Sequence, residues 1–168
     1  KDMRKNPKAE MSLAYLETLT SQLAKVALYI TKERVSFVQD ISKLTYKNML
    51  NISNGQETLK IKYKSSVLDA LNISEINDES FTEENLTKVM MKKSFDDIMR
   101  GSTKIGPQHD DLEFYINDLD AKMYASQGQQ RSIVLSLKLA EINYLKEKTG
   151  TYPVLLLDDV LSELDKNR

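Results

Sequence analysis

The sequence predicts an α/β fold of the α+β-like kind, in which helices predominate, strands are short, and one strand belongs to a larger sheet. A run without glycine or proline extends from Lys8 to about Asn51, and its apolar residues recur every three or four positions, as in an amphipathic helix. Near the other end, Val154 to Leu157 is an uninterrupted apolar run, which is typical of a strand buried on both faces of a parallel sheet.

The first helical segment is longer than an ordinary globular helix and would extend about 65 Å if continuous, at 1.5 Å per residue. We expect one amphipathic helix or an antiparallel pair that forms an arm of a helical bundle. A short coiled-coil lever is the alternative, but Thr31 to Arg34 interrupts the heptad that it requires. The apolar residues recur at Leu13, Leu16, Leu19, Leu23, Val26, Ala27, Ile30, Val35, Phe37, Ile41 and Leu44.

A turn and a strand follow. Asn51 to Gly55 contains the Asn and Gly residues that tight reversals need, and Leu59 to Tyr63 alternates apolar and basic residues, as in a half-exposed strand. Ser65 to Asn77 predicts a loop with one helical turn. The strand's lysines could contact phosphate, although a solvated sheet edge protected by lysines explains them more simply; these residues are Lys60, Lys62 and Lys64.

A second helix is predicted from Thr82 to about Arg100, where Gly101 ends it. Its candidate core residues are Leu86, Val89, Met90, Phe95, Ile98 and Met99. Its basic residues form a stripe that Asp96 and Asp97 interrupt, and this stripe is either a solvated helix face or a surface for DNA phosphates. The candidate DNA-binding residues are Lys88, Lys92, Lys93 and Arg100, with Lys104 close by.

Two short strands and a third helix complete the pattern. Asp111 to Ile116 alternates as a strand does, a turn at Asn117-Asp118 follows, and a second short strand is predicted around Lys122 to Tyr124. The helix from Gln127 to Lys148 has no proline and ends before Gly150. Its expected apolar stripe is Ile133, Leu137, Ala140 and Tyr144, flanked by Val134 and Leu145.

Polar residues at two element ends indicate a nucleotide site. Ser126 is a favourable N-cap, and Gly128 in the first turn leaves the backbone open to a ligand. Such a helix start favours an anion, because its amides are unpaired and its dipole is positive there. Asp158 and Asp159 end the apolar run, at the sheet edge where ligands bind in open α/β folds. An aspartate so placed helps to hold Mg²⁺ in nucleotide hydrolases.

Three segments in this order resemble the RecF family of DNA repair proteins, which have ABC-type ATPase heads. Gly106–Leu112 resembles a family block written Gly-Pro-His-Arg-Asp-Asp-Leu, in which Gln108 and His109 depart from the pattern. Ser126–Arg131 resembles the signature motif, and Leu155–Asp165 resembles the Walker B strand and D-loop. The two departures leave the role of the first block open, since a cap or turn explains its aspartates about as well as chemistry does.

The resemblance implies an ATP site shared between two subunits. Residues 1–148 would form a helix-rich lobe that carries the signature motif, and residues 149–168 would begin the returning ATPase lobe. Ser126 and Gly128, assisted by Gln129, would contact the γ-phosphate of the ATP bound to the other subunit.

The resemblance also implies roles for three acids and for further partners. Asp158 would help to hold Mg²⁺, Asp159 would orient the attacking water, and Asp165 would lie in the D-loop at the dimer interface. The ATP-dependent homodimer would bind DNA at junctions between single and double strands and act with the RecO and RecR proteins to load recombinase.

The composition narrows the class of protein. Among 168 residues, 24 Lys and Arg oppose 25 Asp and Glu, so a nucleic-acid surface must be a local patch. The absence of cysteine and of a long apolar span predicts a cytoplasmic protein without disulfides. With a single histidine, His109, no histidine-based metal cluster is available.

A phosphate-binding P-loop is missing from the sequence. It requires Gly-Lys-Ser or Gly-Lys-Thr, whereas the glycines here precede Gln56, Ser102, Pro107, Gln129 and Thr151. We therefore expect a piece of a larger, slow ATPase that neither binds ATP tightly nor hydrolyses it alone. The alternatives are the head of another ABC ATPase, of the Rad50, SMC or transporter type, and a non-catalytic helical interaction module.

Overall fold

A computed structural model describes the backbone of residues 10–154 and the side chains from residue 13 onward, and every structural statement below concerns this part of the chain. The fold is α+β, as predicted: mostly helical, with a small three-stranded antiparallel sheet. The elements are α1 (Glu10–Ile52), β1 (Leu59–Lys64), α2 (Ser66–Leu71), α3 (Glu83–Arg100), a 3-10 turn (Pro107–His109), β2 (Asp111–Ile116), β3 (Leu119–Asp120), α4 (Ala121–Tyr124) and α5 (Gln127–Thr149).

The first helical segment is one continuous helix of 43 residues, which settles the choice between one helix and two. Its apolar positions are buried only in part: Ala27 and Ile41 are buried, whereas Leu13, Leu19, Val26 and Phe37 are between 41% and 53% exposed. Small and hydroxylated side chains share the buried face with Ile41 and Met49. The buried residues of α1 are Thr20, Ala24, Ala27, Thr31, Ile41, Thr45 and Met49.

Two threonine hydroxyls on the buried face of α1 donate hydrogen bonds to backbone carbonyls of the same helix. The Thr45 hydroxyl donates to the Ile41 carbonyl at 2.6 Å, and the Thr20 hydroxyl donates to the Leu16 carbonyl at 2.7 Å. Each bond satisfies a polar group that would otherwise lose its water on burial. Hydrophobicity alone therefore does not identify the core face of α1.

The chain divides into two compact units. The described part of the first consists of residues 10–35 and 64–111, and that of the second of residues 36–63 and 112–154. The core of the first unit contains Ala24, Ala27, Val67, Leu86, Met90 and Ile105. The core of the second contains Met49, Leu59, Ile116, Ala121 and Ile133.

In the second unit, α1 packs closely on α5. The Asn48 side-chain amide donates to the Ser136 carbonyl at 3.1 Å, and the Ser136 hydroxyl contacts the Met49 sulfur at 3.6 Å. Phe37 and Tyr144 pack edge to face, with ring centroids 5.1 Å apart. Ser132, Ser136 and Ala140 are fully buried, one helical turn apart, so α5 presents a small-residue stripe.

The sheet has the order β1-β2-β3, and β2 and β3 form an antiparallel hairpin with Ile116 opposite Leu119. Asn117 and Asp118 have φ of 48° and 65°, as a two-residue hairpin turn requires. The predicted strand at Lys122–Tyr124 was wrong, because Asp120 ends β3 and caps α4. Its carboxylate accepts from the Lys122 amide at 2.8 Å.

Some of the other predictions of side-chain exposure are confirmed and others are wrong. The lysines of β1 are exposed on this edge strand, as its alternation predicts, whereas Phe95 and Met99 of α3 are 60% and 59% exposed rather than buried. Val134 of α5 is 47% exposed. Val154, the first residue of the last predicted strand, is 89% exposed and outside any strand, and residues 155–157 lie outside the described part of the chain.

Asp110, in the block Gly106–Leu112, has a structural role in the first unit. Asp110 accepts from the Ser66 amide at 2.9 Å through one carboxylate oxygen and from Arg34 at 3.2 Å through the other. The Ser66 hydroxyl bonds to the Gly106 carbonyl at 2.7 Å. The Asp110 side chain is only 1% exposed, so its carboxylate joins α1, the start of α2 and the loop before β2. These contacts favour the structural interpretation of Asp110.

Tyr115 and Glu113 form a pair on β2. The Tyr115 hydroxyl donates to the Glu113 carboxylate at 3.0 Å, and Lys62 of β1 lies 3.9 Å from the same carboxylate. The hydrogen bond, with smaller effects of burial and of the charges of Glu113 and Asp120, raises the pKa of Tyr115. The folded chain therefore favours the protonated phenol.

Replacing Asp110 with alanine should lower the free energy of unfolding by about 2 kcal/mol, because several donors lose a buried acceptor. Asp69→Ala, which removes an exposed carboxylate from α2, is the matched control and should cost only a few tenths of a kcal/mol. Urea unfolding of the two variants measures both values. Equal, small losses would show that the Asp110 contacts contribute little.

The stability contribution of Tyr115 should depend on alkaline pH. Because its pKa is raised on folding, this contribution is fully present below the unfolded pKa of about 10 and is lost as pH rises through the folded pKa. The melting temperature of the unsubstituted chain should therefore fall more steeply above about pH 10 than that of Tyr115→Phe. Tyr46→Phe, at an exposed position of α1, should behave like the unsubstituted chain.

Candidate functional site

Ser126 caps the start of α5, as predicted, and it does so as part of a capping box. The Ser126 hydroxyl oxygen accepts from the Gln129 amide at 3.2 Å, and the Gln129 side-chain oxygen accepts from the Ser126 amide at 2.9 Å. Ser126 has φ −63° and ψ 162°, the extended conformation of an N-cap. The two reciprocal bonds fix the direction in which the chain enters the helix.

The tip of α5 is accessible and suited to an anion. Ser126, Gln127 and Gly128 are exposed, and the helix that follows is 23 residues long. The amides of Gln127 and Gly128 belong to the first turn, where amides lack carbonyl partners within the helix. The Ser126 hydroxyl accepts a bond and still has its own proton to donate. These donors and the positive helix end can contact a phosphate.

Gln129 lies beneath this tip rather than on it. Its side chain is half-buried, and its amide nitrogen donates to the Glu57 carboxylate at 3.1 Å. Glu57 follows the end of α1 and is 7% exposed. Sequence reasoning did not find Glu57, because the two residues are 72 positions apart and no local pattern connects them.

The candidate DNA-binding residues are all exposed on α3. Lys88 and Lys92 are one turn apart, and Lys88 bonds to Glu84 at 2.6 Å. That hydrogen bond, and then the charge of Lys88, lowers the pKa of Glu84. Such an exposed pair is weak and leaves Lys88 able to meet another anion. Asp96 lies on the helix between Lys92 and Arg100, so the positive stripe is interrupted, as its sequence indicates.

The acids assigned to metal and catalysis, Asp158 and Asp159, lie outside the described residues, as does Asp165 of the D-loop. Within residues 10–154, no group of three or more acidic or histidine side chains is arranged to hold a metal ion. His109 is exposed and donates from Nε2 to the Thr103 carbonyl at 2.7 Å. None of the described helices is both long and apolar enough to cross a membrane.

The architecture and the capped α5 helix define a class: the chain has an α+β fold that matches part of an ABC ATPase-like fold. The structure of the recombination mediator protein RecF-ATP in the RecFOR pathway matches 98% of this chain and 42% of that one, with a TM-score of 0.83 and 36% sequence identity. A second RecF structure, with ATPγS, gives a TM-score of 0.82 at the same identity.

Curated sequences give a more particular similarity: the chain is similar to a segment of the DNA replication and repair protein RecF. It is 46% identical to RecF of Halalkalibacterium halodurans and 44% identical to RecF of Staphylococcus carnosus, each over 153 residues. RecF of Listeria innocua is 48% identical over the same length. These alignments include 91% of this chain and 40% of each relative, so the chain spans about 40% of the relatives' length. No protein-family model matches the chain.

Proposed function

We propose that the chain is the signature-bearing lobe, residues 1–148, and the start of the returning ATPase lobe, residues 149–168, of a RecF-like DNA repair ATPase. The exposed, capped tip of α5 is the observation that carries this proposal, because it offers phosphate-binding donors within the segment that resembles the signature motif. The identity to RecF sequences and the structural match to RecF-ATP support it.

In this proposal two subunits enclose ATP. The Ser126 hydroxyl and the first-turn amide of Gly128 donate to the γ-phosphate of the nucleotide bound by the P-loop of the other subunit. The tip fits this role, since its donors are exposed and its geometry is set before the ligand arrives. Gln129 contributes either by direct contact or by holding Ser126.

Magnesium would be held by Asp158 and would neutralise charge on the phosphates, and Asp159 would orient the attacking water. Transporter-type heads usually have glutamate at the position of Asp159. The shorter aspartate would place its carboxylate farther from the water, which would favour slow turnover and a switch rather than a pump. Asp165 would lie at the dimer interface.

The surface beside the tip supports an assembly with another subunit. Leu119, Met123 and Tyr124 precede α5, and they are 59%, 71% and 69% exposed. Their apolar side chains are exposed within six residues of one another in the chain and are available to contact another subunit. ATP that binds more tightly to the dimer than to the monomer would shift the equilibrium toward the dimer.

The proposed dimer would bind DNA at single-strand to double-strand junctions and act with RecO and RecR proteins. The basic residues of α3 are the proposed phosphate contacts. Their exposure and the names of the matched relatives as DNA replication and repair proteins support this part.

Ser126→Arg should weaken ATP-dependent dimerisation at least about tenfold, because the larger side chain occupies the phosphate position; each tenfold step corresponds to about 1.4 kcal/mol. The test protein is a chimaera in which this chain replaces the matching segment of Halalkalibacterium halodurans RecF, hereafter the completed protein. Sedimentation with a slowly hydrolysed ATP analogue measures dimerisation, and equilibrium titration measures ATP binding, which should remain within about twofold.

Thr82→Arg is the matched control. Thr82 is the exposed N-cap of α3, and its hydroxyl accepts from the Asn85 amide at 3.3 Å. It therefore loses a comparable cap, worth about 1 kcal/mol, without altering α5. Ser126→Arg that dimerises as well as Thr82→Arg would refute the proposed nucleotide contact.

Reversing Lys88, Lys92 and Lys93 to glutamate in the completed protein should reduce the salt dependence of DNA binding. If each lysine neutralises one phosphate, the slope of log K against log salt should become less steep by about 2 to 3. Fluorescence anisotropy with a duplex that has a single-stranded tail measures the slope at several salt concentrations. Arg100→Glu should add a smaller change of the same sign.

A control with the same change of charge distinguishes a local contact from net charge. Lys25, Lys32 and Lys43 are exposed on α1, and their reversal to glutamate changes the total charge equally. An equal loss of slope in both triple variants would contradict DNA contact by α3.

A further inference from the structure

Glu57 is a buried carboxylate that sequence reasoning did not connect to any site. It is 7% exposed, and its Oε1 accepts from the Gln129 side-chain amide at 3.1 Å. A buried carboxylate is costly unless it is bonded. A solvated surface acid needs no particular partner, whereas the burial of Glu57 beside the first turn of α5 needs a structural reason.

The backbone around Glu57 is fixed from two directions. The Ser53 hydroxyl at the end of α1 accepts from the Glu57 amide at 3.0 Å. The next amide, that of Thr58, donates to the Asn117 side chain at 2.9 Å, and the Asn117 amide donates back to the Thr58 carbonyl at 3.1 Å. The carboxylate is thus supported by the α1 terminus and by the β2–β3 hairpin.

The two bonds of the Gln129 side chain determine its orientation. Its oxygen accepts from the Ser126 amide at 2.9 Å, while its nitrogen donates to Glu57. Rotating the amide by 180° would place oxygen against carboxylate oxygen and nitrogen against a backbone amide. Both contacts would be repulsive, so Glu57 and the Ser126 amide together select one orientation.

We propose that Glu57 is a positioning residue for the nucleotide contact, acting through Gln129 on Ser126. The inference rests on the proposed function, because positioning matters only if the α5 tip contacts ATP. Without Glu57, Gln129 loses one of the two partners that together select its orientation, and the capping box can open. Ser126 and the first-turn amides then lose their fixed arrangement around the γ-phosphate.

The inference predicts a specific kinetic pattern in the completed protein. The α5 tip contacts ATP only in the closed dimer, whereas the other subunit's P-loop binds ATP in the open state as well. A positioning defect should therefore lower kcat and leave KM nearly unchanged. We expect kcat to fall about tenfold in Glu57→Ala, because shifting a contact by about 1 Å can lower kcat by at least this much.

Rescue by a conservative variant separates positioning from packing. Glu57→Gln retains an oxygen that accepts from Gln129, so it should keep at least about half of kcat, whereas Glu57→Ala has no acceptor. Glu147→Ala, which removes an exposed carboxylate near the other end of α5, is the control and should keep kcat. Unchanged kcat in Glu57→Ala, or equal losses in the alanine and glutamine variants, would overturn the inference.

A spectroscopic measurement tests the contact in the 168-residue chain itself. In a ¹⁵N–¹H correlation spectrum, the side-chain amide signal of Gln129 should move toward the position of solvent-exposed glutamines in Glu57→Ala. It should move less in Glu57→Gln and remain in place in Glu147→Ala. A Gln129 signal that is the same in Glu57→Ala and the unsubstituted chain would contradict the contact, whatever the kinetics.

The two proposals fail in different ways. If Ser126→Arg abolishes ATP-dependent dimerisation but Glu57→Ala keeps full kcat, the positioning role is wrong and the nucleotide contact remains. If Ser126→Arg leaves ATP-dependent dimerisation intact, the proposed nucleotide contact is wrong, and the positioning role that depends on it is wrong with it.

Discussion

The close packing of α1 on α5 in the second unit determines where the candidate site lies. Ser132 and Ser136 are fully buried, and the contacts of Ser136 with Asn48 and Met49 are possible only because a small side chain separates the helices. A larger residue at Ser136 would push the helices apart, at a typical cost of about 1 to 3 kcal/mol. The axis of α5, and with it the position of Ser126, therefore depends on a contact made well inside the helix.

The capping box alone would not give a rigid tip. A cap contributes about 1 kcal/mol, which is comparable with thermal fraying of a helix end. Glu57 adds a bond from outside the helix; its own amide is held by Ser53, and the next residue, Thr58, is held by Asn117. The end of α1, the hairpin and the start of α5 are thus connected through Glu57 and Thr58. Local sequence sets the form of the cap, and tertiary structure sets its orientation.

The sequence predicted features that depend on neighbouring residues. The caps at Ser126 and Thr82 and the helix end at Gly101 depend on side chains or backbone conformations within a few positions, and each is present. The buried face of α1 was predicted only in part, because alanine and threonine pack there beside Ile41 and Met49. Long-range contacts have no local pattern, so the partners of Asp110 and Gln129 required the structure.

The free energy of the proposed nucleotide contact determines how strongly ATP would control dimerisation. A few hydrogen bonds and a helix end contribute about 2 kcal/mol at one phosphate, and a symmetric dimer has two such sites. About 4 kcal/mol changes the dimerisation constant by about a thousandfold. In the proposed dimer, a change of this size would make assembly depend on bound ATP and would be lost when hydrolysis removes the γ-phosphate. Donors that are already fixed lose less conformational entropy on binding than mobile donors do. A rigid α5 tip would therefore make assembly more sensitive to the γ-phosphate.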